Sequence, residues 1–159
     1  MLYKGYVETK GKASIEKLKN RTTWKTYDEV KNLNGFGGVL ADDTILIDID
    51  DSDQSEILMN IVEELQLDCK VLCTSRGKHF LFKNRTIARN RTHVQLAVGL
   101  TADIKVGSKL SYEVIKIDGE ERFCEWDIEE GGKYQEVPKW LFPVLSLIHI
   151  SEPTRLQLI

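Results

Sequence analysis

The sequence predicts an α+β fold in which one β-sheet is covered by helices. Apolar and polar residues alternate with a period of two, typical of strands, in 44–50 and through much of 94–128. The same pattern forms a hairpin from 69–74 and 78–83. Between these stretches, apolar residues recur at the spacing of one buried helical face: Ile57, Leu58, Ile61, Val62 and Leu65. Helical and strand-like blocks therefore follow one another in the order expected of an α+β domain.

The N-terminal part is predicted to be helical before the chain enters the sheet. Short helices are expected over 13–20 and 23–32, the second with Thr22 or Thr23 as its N-cap. The glycine-rich stretch 35–38 then interrupts the helical period. Because a strand rather than a helix follows it, this stretch favours a turn over a phosphate-binding loop.

Turn and capping residues define the remaining elements. A short strand at 39–40 is joined to the next strand by a turn at 42–43. Ser52 or Asp53 is expected to cap the helix that follows. In the C-terminal part, Asp118-Gly119 is the clearest hairpin turn.

The length of the chain predicts one domain. Its 159 residues can bury a single sizeable core, and we assign that domain to residues 1–145. Residues 146–159 have no periodic relation to it and resemble translated sequencing-adapter DNA, so we interpret them as a non-native tail. The alternative is an ordinary apolar C-terminal extension. If the tail is non-native, the native protein is expected to continue beyond residue 145.

Cysteine usage and hydropathy indicate a cytoplasmic protein. The chain has three cysteines, an odd number at irregular spacing, which favours a reducing cytosol. It has no apolar run of about 18 residues and no basic-then-apolar leader, so neither a membrane span nor an export signal is predicted.

Charge is unevenly distributed, although the net charge is only −3. Residues 1–31 and the run 83–91 are rich in lysine and arginine and are candidates for phosphate contacts. A solvated surface is the alternative for each of these cations. The stretch 111–136, which includes Glu113, is strongly acidic and is expected to form a surface that nucleic acid avoids.

Two carboxylates alternate with isoleucines at the end of the strand 44–50. The period of two places Asp48 and Asp50 on one face, about 7 Å apart along the backbone. Such a pair can converge on one divalent cation, and adjacent carboxylates that lose hydration need a metal or a basic partner. The alternative is a strand end that runs into a solvated acidic turn.

Two later strands present polar side chains in the same way. His79 is predicted to lie on the face opposite Phe80 and Phe82, away from the core. Asp103 and Lys105 share one face, whereas the apolar residues that alternate with them turn to the other. Three strands therefore each offer polar groups on a sheet face.

These segments resemble the motifs of the archaeo-eukaryotic primase superfamily, specifically the primase-polymerase domains of phage and plasmid replication proteins. Those domains carry an Asp-x-Asp strand, a Gly/Ser-x-His turn and strand, and a third Asp followed by a basic residue. In this chain they correspond, in the same order, to Asp48-Ile49-Asp50, Gly77-Lys78-His79 and Asp103-Ile104-Lys105.

The flanking sequence extends the resemblance to about 18–143. Residues 24–30 are similar to the first helix of the family, and 35–40 to the strand before the acidic one. One departure concerns the nucleotide pocket: the family often has a Gly-Gly-Tyr run after the third Asp, where this chain has the sequence 107–112.

The resemblance implies a catalytic core whose sheet is related to the RNA-recognition fold and which performs template-directed nucleotidyl transfer. Asp48, Asp50 and Asp103 would bind two Mg²⁺ or Mn²⁺ ions, because hard oxygen ligands suit both metals. His79 would act with them as a catalytic residue and hydrogen-bond the triphosphate of the incoming nucleotide.

Further nucleotide contacts and partners follow from the same resemblance. Lys105 would contact the phosphates beside His79, with Ser75, Arg76 and Lys78 as lesser candidates. The expected partners are a single-stranded DNA template, NTPs or dNTPs, and a helicase domain in the full-length protein or in trans. The expected location is the cytosol of a bacterial host.

Two other functions are compatible with the sequence. The chain could be a non-catalytic module that binds single-stranded nucleic acid or acts as an initiator, with only remnants of a metal site. A metal-dependent phosphohydrolase could use the same three carboxylates. It would release phosphate without forming any product longer than its substrate.

Overall fold

The computed structural model describes residues 1–145, which form two antiparallel sheets, one long helix and several short turns. The strands of the five-stranded sheet are β1 (Tyr3–Lys10), β2 (Ala13–Ser14), β3 (Phe36–Leu40), β9 (Tyr112–Ile117) and β10 (Glu120–Glu121). The strands of the six-stranded sheet are β4 (Thr44–Ile49), β5 (Lys70–Cys73), β6 (Lys78–Lys83), β7 (Arg91–Gln95), β8 (Thr101–Val106) and β11 (Cys124–Trp126). The helices are α1 (Tyr27–Val30) and α2 (Ser52–Leu65), with 3₁₀ turns at Gly107–Lys109 and Lys139–Leu141.

Strand β4 lies inside the six-stranded sheet, whose order is β11-β5-β6-β4-β8-β7. The residues Ile45, Ile47 and Ile49 point to one face, where they join Leu58 and Val62 of α2 in the main hydrophobic core. This face is the one that the alternating pattern predicts to be buried.

The other face of the same sheet packs in part against the five-stranded sheet, whose order is β10-β9-β3-β1-β2. Leu46 and Leu81 meet Leu2 and Leu40 there in a second, smaller cluster. The α+β class is therefore confirmed, but the structure has two sheets where one sheet covered by helices was predicted. One helix covers one face, and a second sheet covers part of the other.

Several predicted elements are confirmed. Strand β4, the hairpin of β5 and β6, and the β-rich region up to β11 occur where the sequence pattern predicts them. Asp118 and Gly119 connect β9 to β10, both with positive φ, as a tight hairpin turn requires. The cap of α2 is shifted by one residue: the side chain of Asp51 accepts hydrogen bonds from the backbone N–H groups of Asp53 and Gln54.

The glycine-rich stretch 35–38 is not the predicted turn, because most of it lies in β3, between β1 and β9. A Cβ atom on Gly38 would approach the ring of Tyr3 to 2.6 Å. The absence of a side chain at Gly38 therefore makes room for the Tyr3 ring, which lies against β3 at this point.

The predicted helices at 13–20 and 23–32 are also wrong, apart from α1. Most of this region is an irregular loop that Glu16 holds in place. Its carboxylate accepts hydrogen bonds from the backbone N–H of Glu8 at 2.6 Å, from Arg21 at 3.0 Å and from Lys25 at 2.8 Å. Side-chain bonds of this kind compete with helix formation because they satisfy backbone and charged groups without it.

The segment 146–159, which is predicted to be a non-native tail, lies outside the described residues. Among residues 1–145, no helix is long and apolar enough to cross a membrane.

The contacts of Glu16 predict a stability effect that depends on pH. Partial burial alone would raise its pKa, but the bonds from Glu8, Lys25 and Arg21 lower the pKa from 4.5 to about 2. Stability from a carboxylate with a lowered pKa is fully present above the ordinary value and is lost as the pH falls through the folded value. We expect Glu16→Gln to lower the free energy of unfolding by about 1–2 kcal/mol at pH 7 and by much less near pH 2, allowing for solvent screening.

Urea unfolding at both pH values measures this difference, with Glu64→Gln on the exposed surface of α2 as the control. An equal loss of stability at pH 7 and pH 2 would show that the charge of Glu16 is not what holds the loop.

Candidate functional site

Three polar residues from different strands form a row across the six-stranded sheet. Asp48 on β4 lies directly opposite His79 on β6 and directly opposite Asp103 on β8. Residues opposite each other on antiparallel strands have Cα atoms about 4.5–5.5 Å apart and side chains on the same face. The pairing of β4 with both neighbours therefore brings together three residues that are far apart in the sequence.

The row lies on the face of the six-stranded sheet that packs in part on the five-stranded sheet. Leu46 and Leu81, two residues before Asp48 and after His79, make the apolar contact between the sheets. Next to this contact, the sheets enclose a cavity of about 370 Å³, whose lining includes Asp48 and His79. The polar row thus begins where the apolar contact ends.

A fourth residue, Glu113, joins this row from β9 of the five-stranded sheet. One of its carboxylate oxygens lies 2.8 Å from Nδ1 of His79, and the other accepts a hydrogen bond from the hydroxyl of Tyr3. Nε2 of His79 lies 3.5 Å from Oδ2 of Asp48. The exposed fraction of the side chains rises along this chain of contacts, from 0% at Glu113 to 12% at His79 and 26% at Asp48.

The pKa values in this chain are shifted by the contacts themselves. Burial would raise the pKa of Asp48, but the neighbouring His79 and the positive charges of Lys105 and Arg122 outweigh burial and lower it. Burial would lower the pKa of His79, yet Asp48 and Glu113 outweigh burial and raise it. Asp48 is therefore held as a carboxylate and His79 is biased toward its charged form.

Cations also line the cavity. Lys12, Lys105, Lys109 and Arg122 line it, together with Asn90. A cavity of several hundred Å³ with convergent charged groups is a typical ligand site. Its cationic lining favours a ligand that carries several negative charges, such as a polyphosphate.

The position of Lys12 depends on Tyr112. The hydroxyl of Tyr112 donates a hydrogen bond to the backbone oxygen of Lys12 at 2.9 Å and accepts one from the N–H of Ser14 at 3.0 Å. These bonds hold the β1–β2 turn beside the cavity, so a cation from the N-terminal region reaches a site built mainly by later strands.

The other two predicted metal ligands, Asp103 and Asp50, are not part of the lining of the cavity. Asp103 accepts a hydrogen bond at 2.8 Å from the backbone N–H of His93, a residue with positive φ in an irregular part of β7. Asp50 follows the end of β4, is half exposed and forms an ion pair at 2.7 Å with Arg76. The strand register therefore makes neighbours of Asp48, His79 and Asp103, while Asp50 follows the end of β4 and pairs with a cation of the β5–β6 turn.

Lys105 lines the cavity with Asp48 and His79. The other predicted nucleotide contacts, Ser75, Arg76 and Lys78, do not line it. Ser75 and Arg76 lie in the exposed β5–β6 turn and line a different cavity, of about 200 Å³, near the start of α2. Lys78 pairs with Ile49 across the strands and points to the helix face of the sheet. The strand period explains this outcome, because neighbouring residues on a strand point to opposite faces.

The buried ammonium of Lys78 serves a structural contact on that face. It lies 2.9 Å from Glu56 of α2 and also contacts Glu125 of β11. Burial would lower the pKa of Lys78, but these carboxylates outweigh it and raise the pKa, so the side chain remains charged. Lys78 thus connects the helix to the edge of the sheet.

Sequence reasoning missed Glu113 and the cavity cations Lys109 and Arg122. The acidic stretch 111–136 was expected on the surface, whereas Glu113 is fully buried. The one local signal was the strand period of β9, which places Glu113 on the same face as Ile115 and Ile117. Its contact with His79 depends on the packing of the two sheets.

The donor set is chemically suitable for Mg²⁺ or Mn²⁺. Carboxylate oxygens are hard ligands, and Mg²⁺ is usually held by one or two carboxylates together with substrate phosphates and water rather than by a cage of protein ligands. Asp48 and Asp103 satisfy that requirement. Within residues 1–145, no three His, Cys, Asp or Glu side chains are grouped so that they could hold a metal ion.

Comparisons of the chain with protein-family models, with curated proteins and with solved structures found no match.

The placement of Lys78 predicts a variant that separates stability from ligand binding. Lys78→Met removes the partner of Glu56 and Glu125. We expect the free energy of unfolding to fall by roughly 1–3 kcal/mol, less than for a fully buried pair because both glutamates are partly exposed. Urea unfolding measures this loss, and the exposed Lys17→Met variant is the control. Unchanged stability with weakened nucleotide binding would instead assign Lys78 to the ligand site.

Proposed function

We propose that this chain is a metal-dependent nucleotidyltransferase of the primase-polymerase type, which synthesises primers on a single-stranded DNA template. The observation that carries the proposal is the row of Asp48, His79 and Asp103 across β6, β4 and β8. These residues come from the three motifs that resemble the primase superfamily, and the strand register makes them neighbours. A coincidental match of three short motifs would not be expected to converge on one face.

The proposal assigns a role to each group at the cavity. Asp48 and Asp103 would hold Mg²⁺ or Mn²⁺. Asp50 could join them if its ion pair with Arg76 were broken. Two such ions, when bound, would activate the attacking 3′-hydroxyl and neutralise charge on the phosphates. Asp48 lines the cavity, and Asp103 lies directly opposite Asp48 on the neighbouring strand.

The chain itself would bind and orient the nucleotide. The triphosphate would lie between His79 and the cations of the cavity, with Lys105 nearest to the acidic row along β8. Charge-assisted hydrogen bonds of this kind are stronger than neutral ones and fix the phosphates in one orientation. Phosphoryl chemistry depends mainly on such positioning and on electrostatic stabilisation.

The finer architecture and the partners belong to the same proposal. The part of the six-stranded sheet formed by β4, β6 and β8, with α2 on its back, would correspond to the RNA-recognition-like core of the superfamily. The substrates would be NTPs or dNTPs, and a helicase, in the full-length protein or in trans, would supply single-stranded template in the cytosol of a bacterial host.

A second candidate is a non-catalytic module that binds single-stranded nucleic acid. It is favoured by one observation: the three carboxylates already have protein partners, namely His79, Arg76 and the backbone of His93. Such contacts would stabilise a metal-free remnant of a catalytic site.

Primer synthesis distinguishes these candidates. We expect extension of single-stranded templates, with and without primer, from labelled NTPs or dNTPs and Mg²⁺ or Mn²⁺. Asp48→Asn and Asp103→Asn should each reduce the rate by at least about a hundredfold, because each removes a ligand of the metal ions that neutralise charge in the transition state. Asp50→Asn should have a smaller effect, since Asp50 is already paired with Arg76.

The matched control is Asp42→Asn, which removes an exposed acid that pairs with Lys4 away from the cavity. Folded wild-type protein that binds single strands but forms no longer product would favour the non-catalytic module. Release of phosphate without any extended product would favour a phosphohydrolase.

A further inference from the structure

We propose that Glu113 is a positioning residue for His79: from the second sheet, it holds the imidazole so that Nε2 faces Asp48 and the cavity. The effect of this orientation on nucleotide binding rests on the function proposed above. The orientation itself does not, because it follows from contacts within the chain.

The first argument is the geometry of Glu113. Its side chain is 0% exposed, and each carboxylate oxygen has a different partner, Nδ1 of His79 at 2.8 Å and the hydroxyl of Tyr3. A carboxylate accepts hydrogen bonds, so the contact with Glu113 requires a hydrogen on Nδ1 of His79. Nε2, which also carries a hydrogen in the charged ring, is then the nitrogen that can donate to Asp48 or to a ligand.

The second argument concerns Tyr3, which fixes Glu113 in turn. The ring of Tyr3 occupies the space left by the absent side chain of Gly38, and its hydroxyl reaches Glu113. Burial, reinforced by Glu113, raises the pKa of Tyr3 well above its ordinary value, so the hydroxyl stays a donor. A chain of contacts therefore runs from β1 through β9 and β6 to β4.

The third argument is energetic. The two sheets already make an apolar contact beside this chain, through Leu40, Leu46 and Leu81. A buried charged pair costs desolvation, and replacing such a pair by well-packed apolar residues is often neutral or stabilising. Stability alone therefore does not require a carboxylate at position 113, whereas the orientation of a histidine at the cavity does.

The hydrogen bond can be observed by NMR in protein labelled with ¹⁵N-histidine. In the wild type, we expect a downfield, slowly exchanging Nδ1-bound proton for His79, identified by its loss in His79→Gln. Glu113→Gln should move this signal upfield, because a neutral acceptor replaces a charged one. Glu113→Ala should abolish it through exchange with solvent, and Tyr3→Phe should weaken it. Tyr134→Phe is the control, because it removes a tyrosine–carboxylate bond to Asp127 that does not touch His79.

Kinetics then tests the consequence. We expect Glu113→Ala to raise the KM for nucleotide by about tenfold to a hundredfold, the range for loss of a charged hydrogen bond, with a smaller change in kcat. Glu113→Gln should recover part of this loss, whereas a purely structural residue would change the amount of folded protein instead.

Each outcome either separates the positioning role of Glu113 from the proposed primase function or overturns one of them. An Nδ1 signal that keeps its position in Glu113→Ala would overturn the positioning role, whether or not the protein synthesises primers. If Glu113→Ala does not fold, Glu113→Gln and Tyr3→Phe make the same test. A graded loss of the signal in a protein without synthesis would retain the positioning role and reject the primase function. A graded loss with unchanged KM would overturn the link between orientation and nucleotide binding.

Discussion

The register of β4 with its two neighbours is the constraint on which the rest of the site depends. Because the side-chain period of a strand is two, this register sends the isoleucines of β4 toward α2 and Leu46 and Asp48 toward the second sheet. A slip by one residue against β6 or β8 would exchange the two faces, burying carboxylates beneath α2. The pairing of β4 with β6 and β8 therefore determines both the hydrophobic core and the polar row. Because exposing the isoleucines would be costly, the same pairing fixes the position of Asp48.

Charge balance explains how this row can exist between two sheets. Glu113 and Asp48 lie on either side of His79, and Lys105 and Arg122 add positive charge nearby. Each carboxylate would be costly to bury alone, but each faces a cation or a hydrogen-bond donor. The same arrangement leaves the cations Lys12 and Lys109 at the cavity, where an anionic ligand could compete for them.

The parts that follow from local periodicity could be predicted from the sequence. The faces of Asp103 and Lys105, the position of His79 opposite Phe80, and the helix after Asp51 all follow from alternation or helical spacing. The same rule could have separated Lys78 from its neighbour His79, because adjacent residues on a strand cannot share a face. Its assignment to the nucleotide followed the motif rather than the period.

What could not be predicted depends on contacts between distant segments. The helix predicted over 13–20 does not form, because Glu16 instead bonds Glu8, Arg21 and Lys25. No local sequence pattern contains these contacts. Glu113 belongs to an acidic stretch that is typical of a solvated edge, and only the packing of β9 on the six-stranded sheet buries it beside His79. Long-range packing of this kind decides which member of a charged stretch becomes part of a site.

The proposed function depends on whether Asp48 binds a divalent cation together with a nucleotide. We would measure the enhancement of water proton relaxation by Mn²⁺ in the presence of the protein and a nucleoside triphosphate that cannot transfer its nucleotide. We expect a strong enhancement that requires both protein and nucleotide, is lost in Asp48→Asn and is retained in Asp42→Asn. Equal enhancement in wild type and Asp48→Asn, in folded protein that binds the nucleotide, would contradict it.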